Sequence, residues 1–516
     1  MFIGIDLGTT FSVAAYMDEN GIPHIIPNRD GTNTMPSVVM FDQGEIIVGA
    51  QAKINAISEP DSVVQFAKQH IGTMNEFLID DGSGEEKLYS PEDISAIILK
   101  RIRQDCEEFL GKEVTGAVIT VPAYFTDAQK NSTIAAGKIA GLNVLKVIHE
   151  PTAAAMAYGL NKPGEHYLVL IYDLGGGTFD VTAAEINGKD ITVRATHGQS
   201  QLGGFYFDNH LIGYSANQIK EVTGIDIHEN GSIDDLQLLR QRCEDAKIAL
   251  STRQNYSFSF NLQGSKAKVE LSRKQFEQLL LFDLETTGDS IDIVLEDGEI
   301  SKDEIDKVLL VGGCSIIPMV GEYIHKKLGI KPSAEVNPHE IVAIGAAICA
   351  NSFTGNNLID RNAHPFGVVV RSKSTGDLVN SVIIPRNQPL LKPFVKVYSS
   401  MVDNQEEIHI RVTEGENEDL RYVTIIGEST IELNLHPEGS PIAIEFKYDD
   451  NGIISGKVFD LYDVPHEVDD DGYLVGEISS LDGPLFMANV NIKRENALSE
   501  EEIEAKQHKL KSLDIQ

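Results

Sequence analysis

Ile5-Asp6-Leu7-Gly8-Thr9-Thr10 and, 167 positions later, Tyr172-Asp173-Leu174-Gly175-Gly176-Gly177-Thr178 are built alike. Each sets a carboxylate at the end of an apolar strand, enters a Gly/Thr turn and then resumes a β-like run. Glycines let backbone N–H groups approach an anion without side-chain obstruction, and threonine hydroxyls add donors. An Asp at the strand end can hold Mg²⁺ through water, because that ion prefers a few carboxylates plus retained waters. Two facing copies would clamp a triphosphate from both sides; two unrelated β-turns are the bland alternative. Leu202-Gly203-Gly204 and Leu310-Val311-Gly312-Gly313 suit the same site, since a strand stopping at Gly-Gly permits close backbone approach to a ligand. No GxxxxGK[ST] P-loop is present, nor a GxGxxG opening a βαβ unit, so hairpin turns would hold the phosphates.

Outward from these turns, the first 350 residues alternate apolar strands (Ile3–Ile5, Gly116–Val121, Tyr167–Tyr172, Val308–Val311) with helical runs (Pro91–Leu110, Thr126–Ala140, Pro151–Gly159, Ile341–Ala350). That alternation predicts an α/β body with buried strands. Asn351–Asn362 is polar and predicts a linker. Beyond it lie short segments of strand length: Val368–Val370, Val382–Ile384, Phe394–Tyr398, Glu407–Val412, Tyr422–Ile426, Ile442–Tyr448 and Ile453–Val458. Asp449-Asp450-Asn451-Gly452 supplies a tight turn before the last of them. An all-β module of about 120 residues follows from this pattern. Ser499-Glu500-Glu501-Glu502 is a capping box that opens a C-terminal helix.

Composition bounds the partners. Against 43 basic residues stand 78 acidic ones, a net charge of −35 over 516 residues. Such a body repels nucleic acid and anionic lipid, which bind through Lys and Arg. No apolar run approaches about 18 residues and Asp6 interrupts the N-terminal one, so neither a membrane span nor a signal peptide is expected. Cys106, Cys243, Cys314 and Cys349 lie far apart, as expected of reduced core residues in a cytoplasmic protein.

The three segments Ile3–Thr10, Tyr172–Val181 and Leu309–Pro318 closely resemble the signatures of the heat-shock 70 kDa chaperone family, DnaK-like. Val121-Pro122-Ala123-Tyr124-Phe125 and His149-Glu150-Pro151-Thr152-Ala153-Ala154-Ala155 match further family segments in order and spacing. The resemblance implies an actin-like, two-lobed ATPase domain over 1–354, a linker at 355–363, a β-sandwich peptide-binding domain over 364–490 and a truncated lid-like helix over 491–516. It implies ATP/ADP and Mg²⁺ as ligands, with Asp6 and Asp173 around the metal through water. Gly8, Thr9 and Thr10 match the first phosphate turn; Gly175, Gly176, Gly177 and Thr178 match the second, with Thr178 near the γ-phosphate. Gly203, Gly204, Gly312 and Gly313 match further nucleotide contacts. Lys68 matches a lysine at the γ-phosphate and attacking water, and Glu150 the acid that helps position that water. Glu244, Lys247 and Ser251, at helical spacing, match adenosine contacts. Without the family, Lys68 reads as a solvated surface lysine, Glu150 as a helix-start residue and the trio as an exposed helix face. Pro122 and Lys130 match an allosteric switch pair, with Lys130 replacing the family's Arg.

Several positions depart from the family. Phe11 replaces the usual neighbour of the phosphate turn, and Phe205-Tyr206 stands where the family has an acidic pair. Ile316 replaces an Arg, His339 replaces an acidic residue, and the linker is reduced to Leu358-Ile359-Asp360. In the β-module, Val397, Tyr398, Met401, Ile408 and Ile410 match the peptide groove, with Arg371 near the arch partner position; Val397 and Ile410 suit ordinary sandwich core as well. Leu461–Val490 has no family counterpart. The expected function is an ATP-driven chaperone gating unfolded or extended apolar peptides, with a J-domain co-chaperone and a nucleotide exchange factor as partners. Alternatives are a nucleotide-gated scaffold or co-chaperone of the same fold with weak ATPase and weak coupling, and a small-molecule kinase of the actin-like superfold.

Overall fold

A computed structural model describes residues 1–80, 86–160, 165–188, 190–351, 358–372, 374–481, 483, 485–490, 492, 497–511, 513 and 515–516. The chain divides into two compact units. The first holds Met1–Phe125, Ser132–Leu358 and Leu498–Gln516; the second holds Thr126–Asn131 and Ile359–Ala497. The expected linker is cut by this division after Leu358, and its residues 355–357 lie outside the described residues.

In the first unit the repeated motif becomes a repeated topology. Strands β1 (Phe2–Asp6), β2 (Phe11–Met17), β3 (Pro23–Ile26), β5 (Gly116–Val121) and β6 (Val144–His149) form one sheet in the order β6-β5-β1-β2-β3, whereas β4 (Glu45–Val48) lies in a small neighbouring sheet. Strands β7 (His166–Leu174), β8 (Phe179–Asn187), β9 (Asp190–Gln199) and β10 (Lys307–Val311) run in the order β10-β7-β8-β9 in another. In both sheets the Asp-bearing strand pairs antiparallel with its successor through the Gly/Thr turn: β1 with β2, and β7 with β8. Both also pair it in parallel with a later strand, β1 with β5 and β7 with β10. Strand pairing thus sets each carboxylate beside its own turn.

The helices used below are α1 (Ala50–Asn55), α2 (Pro91–Leu110), α3 (Asp127–Ile139), α4 (Glu150–Leu160), α5 (Gly204–Thr223), α6 (Ile233–Thr252), α7 (Ile341–Asn351) and α8 (Glu500–Lys511). Small residues let α7 press close to α4, where a Cβ on Gly345 would stand 1.8 Å from the Ala153 carbonyl oxygen. Nine of the eleven residues of α7 are buried, as its unbroken apolar sequence requires.

The C-terminal segment was expected to begin a lid. It packs into the core of the first unit. Its capping box forms, with Glu502 N donating to Ser499 Oγ at 3.2 Å and Ser499 N donating to Glu502 Oε2 at 2.8 Å. Ile503, Leu510 and Ile515 are buried among Ile46, Ile79, Tyr89 and Ile97. Lys506 Nζ reaches Asp93 Oδ2 at 2.6 Å, Lys100 Nζ donates to the Leu510 carbonyl at 2.7 Å, and Ile515 makes a parallel bridge to Ile46 of β4. The spacing of Ile503 and Leu510 gives α8 one apolar face, and that face is used here. Residues 491, 493–496, 512 and 514 of the expected lid lie outside the described residues.

The second unit is a sandwich of two four-stranded sheets. Strands β11 (Phe366–Arg371), β12 (Leu378–Ile384), β14 (Glu407–Glu414) and β15 (Thr424–Glu432) run in the order β12-β11-β14-β15. The other sheet takes β13 (Phe394–Ser399), β16 (Pro441–Tyr448), β17 (Ile454–Asp460) and β18 (Leu485–Val490) in that order. The Asp449–Gly452 turn joins β16 to β17, with Gly452 at φ 69° and Asp449 N donating to the Ile453 carbonyl. Phe366, Ile383, Ile410, Val412, Phe446 and Val458 fill the core.

The acidic segment without a family counterpart covers the edge of β13. Val397 N donates to the Gly472 carbonyl at 2.9 Å, and Leu474 N donates to the Val395 carbonyl at 3.0 Å. Satisfying an edge strand this way removes a template for association with other chains. Residues 482 and 484 of that segment lie outside the described residues.

Candidate functional site

Asp6 closes β1 and Asp173 lies near the end of β7, so their positions follow directly from strand pairing. Asp180 on β8 stands opposite Asp173 in the register. Glu150 opens α4, and Lys68 sits in the 3₁₀ turn Ala67–His70. Lys68 is only 7% exposed, its Nζ 2.8 Å from Glu150 Oε1 and 5.4 Å from the centre of the Phe125 ring. A lysine is buried this way when a carboxylate and a ring face replace its water.

The electrostatics are lopsided. Burial, then the nearby Glu150, raises Asp6 to about 7, against opposing contributions from Lys68 and from a hydrogen bond donated by Thr120 Oγ1. Asp180 is raised to about 8 by burial and Glu150, although Tyr124 N donates to its Oδ1 at 3.1 Å. Asp173 is pushed well above the ordinary carboxylate range by burial, then by Glu150, Asp180 and Asp6. Three buried carboxylates and the partly buried Asp6 therefore share one buried lysine, an arrangement that a divalent cation would neutralise. Among the described residues, no three His, Cys, Asp or Glu side chains converge to ligate a metal directly. The donor set thus fits an ion held largely through water and phosphate oxygens.

The turns meet as the repeat predicts. A Cβ on Gly176 would lie 2.1 Å from Thr10 Oγ1, and one on Gly177 would lie 3.1 Å from Thr9 Oγ1. Gly203–Gly204 joins them: Gly204 N donates to the Gly175 carbonyl at 3.1 Å and Phe205 N to the Gly176 carbonyl at 2.7 Å. The second turn is thereby braced by the start of α5. Gly312 approaches as well, since a Cβ there would meet Asp173 Oδ1 at 2.6 Å. Gly313 lies under the His339 ring, and burial lowers the pKa of that imidazole. Ile316 is half exposed.

The α6 trio is engaged on one face. Lys53 Nζ from α1 reaches Glu244 Oε1 at 2.6 Å and also lies 5.2 Å from the Phe11 ring centre. Lys247 Nζ reaches Asp208 Oδ2 at 2.7 Å and the Gly204 carbonyl at 3.1 Å; Ser251 Oγ donates to the Lys247 carbonyl. Where the resemblance would place an acidic pair, Phe205 meets Phe66 edge to face at 4.9 Å, and the Arg240 guanidinium lies 5.0 Å from the Phe205 ring centre.

Other expected residues fall elsewhere. Pro122 is buried beyond β5 in the first unit, while Lys130 belongs to the second unit. Burial lowers the Lys130 pKa there, against Asp127, Asp360, Glu414 and Asp449. Of the groove positions, Met401 is exposed, while Val397, Tyr398 and Ile408 are partly buried. Tyr398 shares a hydrogen bond with Ser381 Oγ at 3.0 Å. Ile410 is 3% exposed within the sandwich core, as its β alternation equally allowed. The sequence reading missed Asp180. Asp180 was legible only as a strand residue, although its place two residues after Thr178 on the resumed strand was a usable signal.

This arrangement, two strand-end carboxylates with facing Gly/Thr turns, defines a nucleotide-binding body of the actin-like type. The family model for Hsp70 protein matches residues 2–463, and the chain belongs to the Hsp70 family. It is 41% identical over 477 residues to the chaperone protein DnaK of Thermotoga neapolitana and to that of Thermotoga maritima. The match covers 89% of this chain and 78% of each relative. The chaperone protein DnaK of Thermosipho melanesiensis is 40% identical over 476 residues.

Proposed function

We propose that this chain is an Hsp70-type chaperone that hydrolyses ATP in the first unit to control its hold on extended apolar peptides in the second. The observation that carries the ATPase reading is the buried Lys68–Glu150 pair among Asp6, Asp173 and Asp180, beside two turns whose donors all suit an anion. Bound Mg²⁺ would neutralise Asp6 and Asp173 through water and polarise the phosphate oxygens. Lys68 and the backbone N–H groups of Thr9–Thr10 and Gly175–Thr178 then stabilise charge developing on the terminal phosphoryl group. Glu150, fixed by Lys68, orients the attacking water. Glu244, Lys247 and Ser251 hold the nucleoside end. The relatives' printed name, chaperone protein DnaK, supports the peptide-handling half of the reading. In the second unit, exposed Met401 suits varied clients because a thioether adapts to many shapes.

Single-turnover ATP hydrolysis, measured with and without an unfolded peptide, tests this. Stimulation by peptide is the expected result. Hydrolysis that peptide leaves unchanged would leave the uncoupled scaffold reading in its place.

The raised carboxylates give a pH dependence. Asp6 and Asp180 keep their protons in the folded protein up to about 7 and about 8, whereas in the unfolded chain both lose them near the ordinary carboxylate value of about 4. The fold binds the extra protons, so these groups' contribution is greatest at low pH and falls as pH rises towards 8. A bound cation removes the penalty. The thermal shift caused by Mg²⁺ with ADP is therefore expected to be larger at pH 8 than at pH 6; equal shifts would refute the cation's place among these carboxylates.

The aromatic contact from Phe66 to Phe205, capped by Arg240, joins two stretches that flank the phosphate turns. Edge-to-face pairs contribute about 1 kcal/mol and a ring-bound guanidinium a similar amount. Phe205→Ala is expected to speed ADP release by about tenfold, read by stopped-flow displacement of a fluorescent ADP. An unchanged rate would show that the cluster does not hold the cleft closed.

A further inference from the structure

Gln69 follows Lys68 in the turn Ala67–His70, which begins from Phe66 in the left-handed region at φ 60°. Its backbone N–H donates to the Phe66 carbonyl at 3.0 Å. The tightness of that turn fixes where its side chain starts. The side-chain Nε2 is buried and has no hydrogen-bond partner among the described residues. A buried amide N–H without a partner is costly, and native folds rarely keep one unless something absent from the isolated chain satisfies it.

The neighbourhood says what that is. A Cβ on Gly177 would stand 3.0 Å from Gln69 Nε2 and 3.1 Å from Thr9 Oγ1, so amide and hydroxyl border the same bare Cα. Gly177 belongs to the second Gly/Thr turn and Thr9 to the first. Around this point stand the Thr9 hydroxyl and the second Gly/Thr turn, and Gln69 follows Lys68 in the chain. A group accepting hydrogen bonds from such a set carries negative charge. Gln69 differs from Lys68 in having no ion pair to satisfy it.

We propose that Gln69 Nε2 donates to the terminal phosphoryl group of bound ATP and so separates triphosphate from diphosphate. This rests on the nucleotide-binding reading above and names a further contact within it. Gln69 is a neutral donor beside a charged one. It adds directional preference for the third phosphate without adding charge, so its loss weakens ATP far more than ADP.

Isothermal titration with Mg²⁺–ADP, and separately with a non-hydrolysable ATP analogue and Mg²⁺, tests this on the full chain and on Gln69→Ala and Gln69→Glu. The second variant keeps the side chain's shape and replaces its donors with a carboxylate facing phosphate. Gln69→Ala is expected to bind the analogue about tenfold more weakly and ADP within about twofold of the unaltered chain; Gln69→Glu should lose at least as much on the analogue. Equal losses for both nucleotides, or none for either, would overturn the assignment and leave the nucleotide reading intact. An unaltered chain that binds neither nucleotide would overturn the nucleotide reading and this assignment together.

Discussion

Lys68→Ala is expected to lower single-turnover ATP hydrolysis by roughly a thousandfold while ADP still binds. A single preorganised donor at a developing oxyanion contributes about 10²–10³, and a full cationic group at a transferring phosphoryl contributes up to about 10⁵. On the proposed reading Lys68 is such a cation, and it is buried and fixed by Glu150 at 2.8 Å. The change also removes one half of a buried pair, which typically costs about 3–5 kcal/mol because the partner charge is left uncompensated. Here Glu150 would face Asp6, Asp173 and Asp180 without a cation, so a folding defect could masquerade as a catalytic one. Lys68→Met combined with Glu150→Gln, set against Glu150→Gln alone because Glu150 is itself proposed to orient the water, separates the two effects. The double variant keeps the volumes and removes the stranded charge, so its unfolding temperature should recover while hydrolysis stays lost. Recovery of hydrolysis alongside stability would sink the catalytic role.

The fold was largely legible because its deciding feature is local. A carboxylate ending an apolar strand before a Gly/Thr turn can be read from ten residues, and it recurs at Asp173. The seven β segments read beyond residue 364 all fall on or overlap strands, although Tyr422 ends a 3₁₀ turn before the strand that starts at Thr424 and β18 was not read, because short apolar or alternating runs are a local signal. What remained illegible depends on tertiary placement. Nothing near Lys68 in the chain marks it as buried: Glu150, 82 positions away, and Phe125 do that. Gln69 resembles any surface glutamine until Gly177 is brought against it. Leu461–Val490 was left without a role because edge coverage requires knowing that β13 is an edge. The Leu498–Ile503 segment looks like the start of a lid, but similarity of a capping box does not decide which surface buries the helix behind it.

Removing Leu498–Gln516 is therefore expected to destabilise the ATPase unit. Ile503, Leu510 and Ile515 are at most 7% exposed, and the apolar surface they cover belongs to α2 and to the sheet carrying β4. Leu510→Ala alone should cost about 2–4 kcal/mol, the usual range for a buried leucine, if the segment stays docked. The loss cannot exceed the docking free energy of the segment, because beyond that point the helix would release as a unit. Truncation measures this ceiling directly. Its expected effect is at least that of Leu510→Ala, and it also frees the N–H of Val48, which now donates to the Gln516 carbonyl at 2.9 Å, and exposes Ile46 at a strand edge. Urea unfolding of the full chain, the point variant and the truncated chain, each with Mg²⁺–ADP, would rank the three. A truncated chain with the stability of the full one would show that the docked segment is dispensable. A truncated chain less stable than the Leu510→Ala variant would make it part of the domain it covers, so that nucleotide, by tightening that domain, also protects the segment from proteolysis.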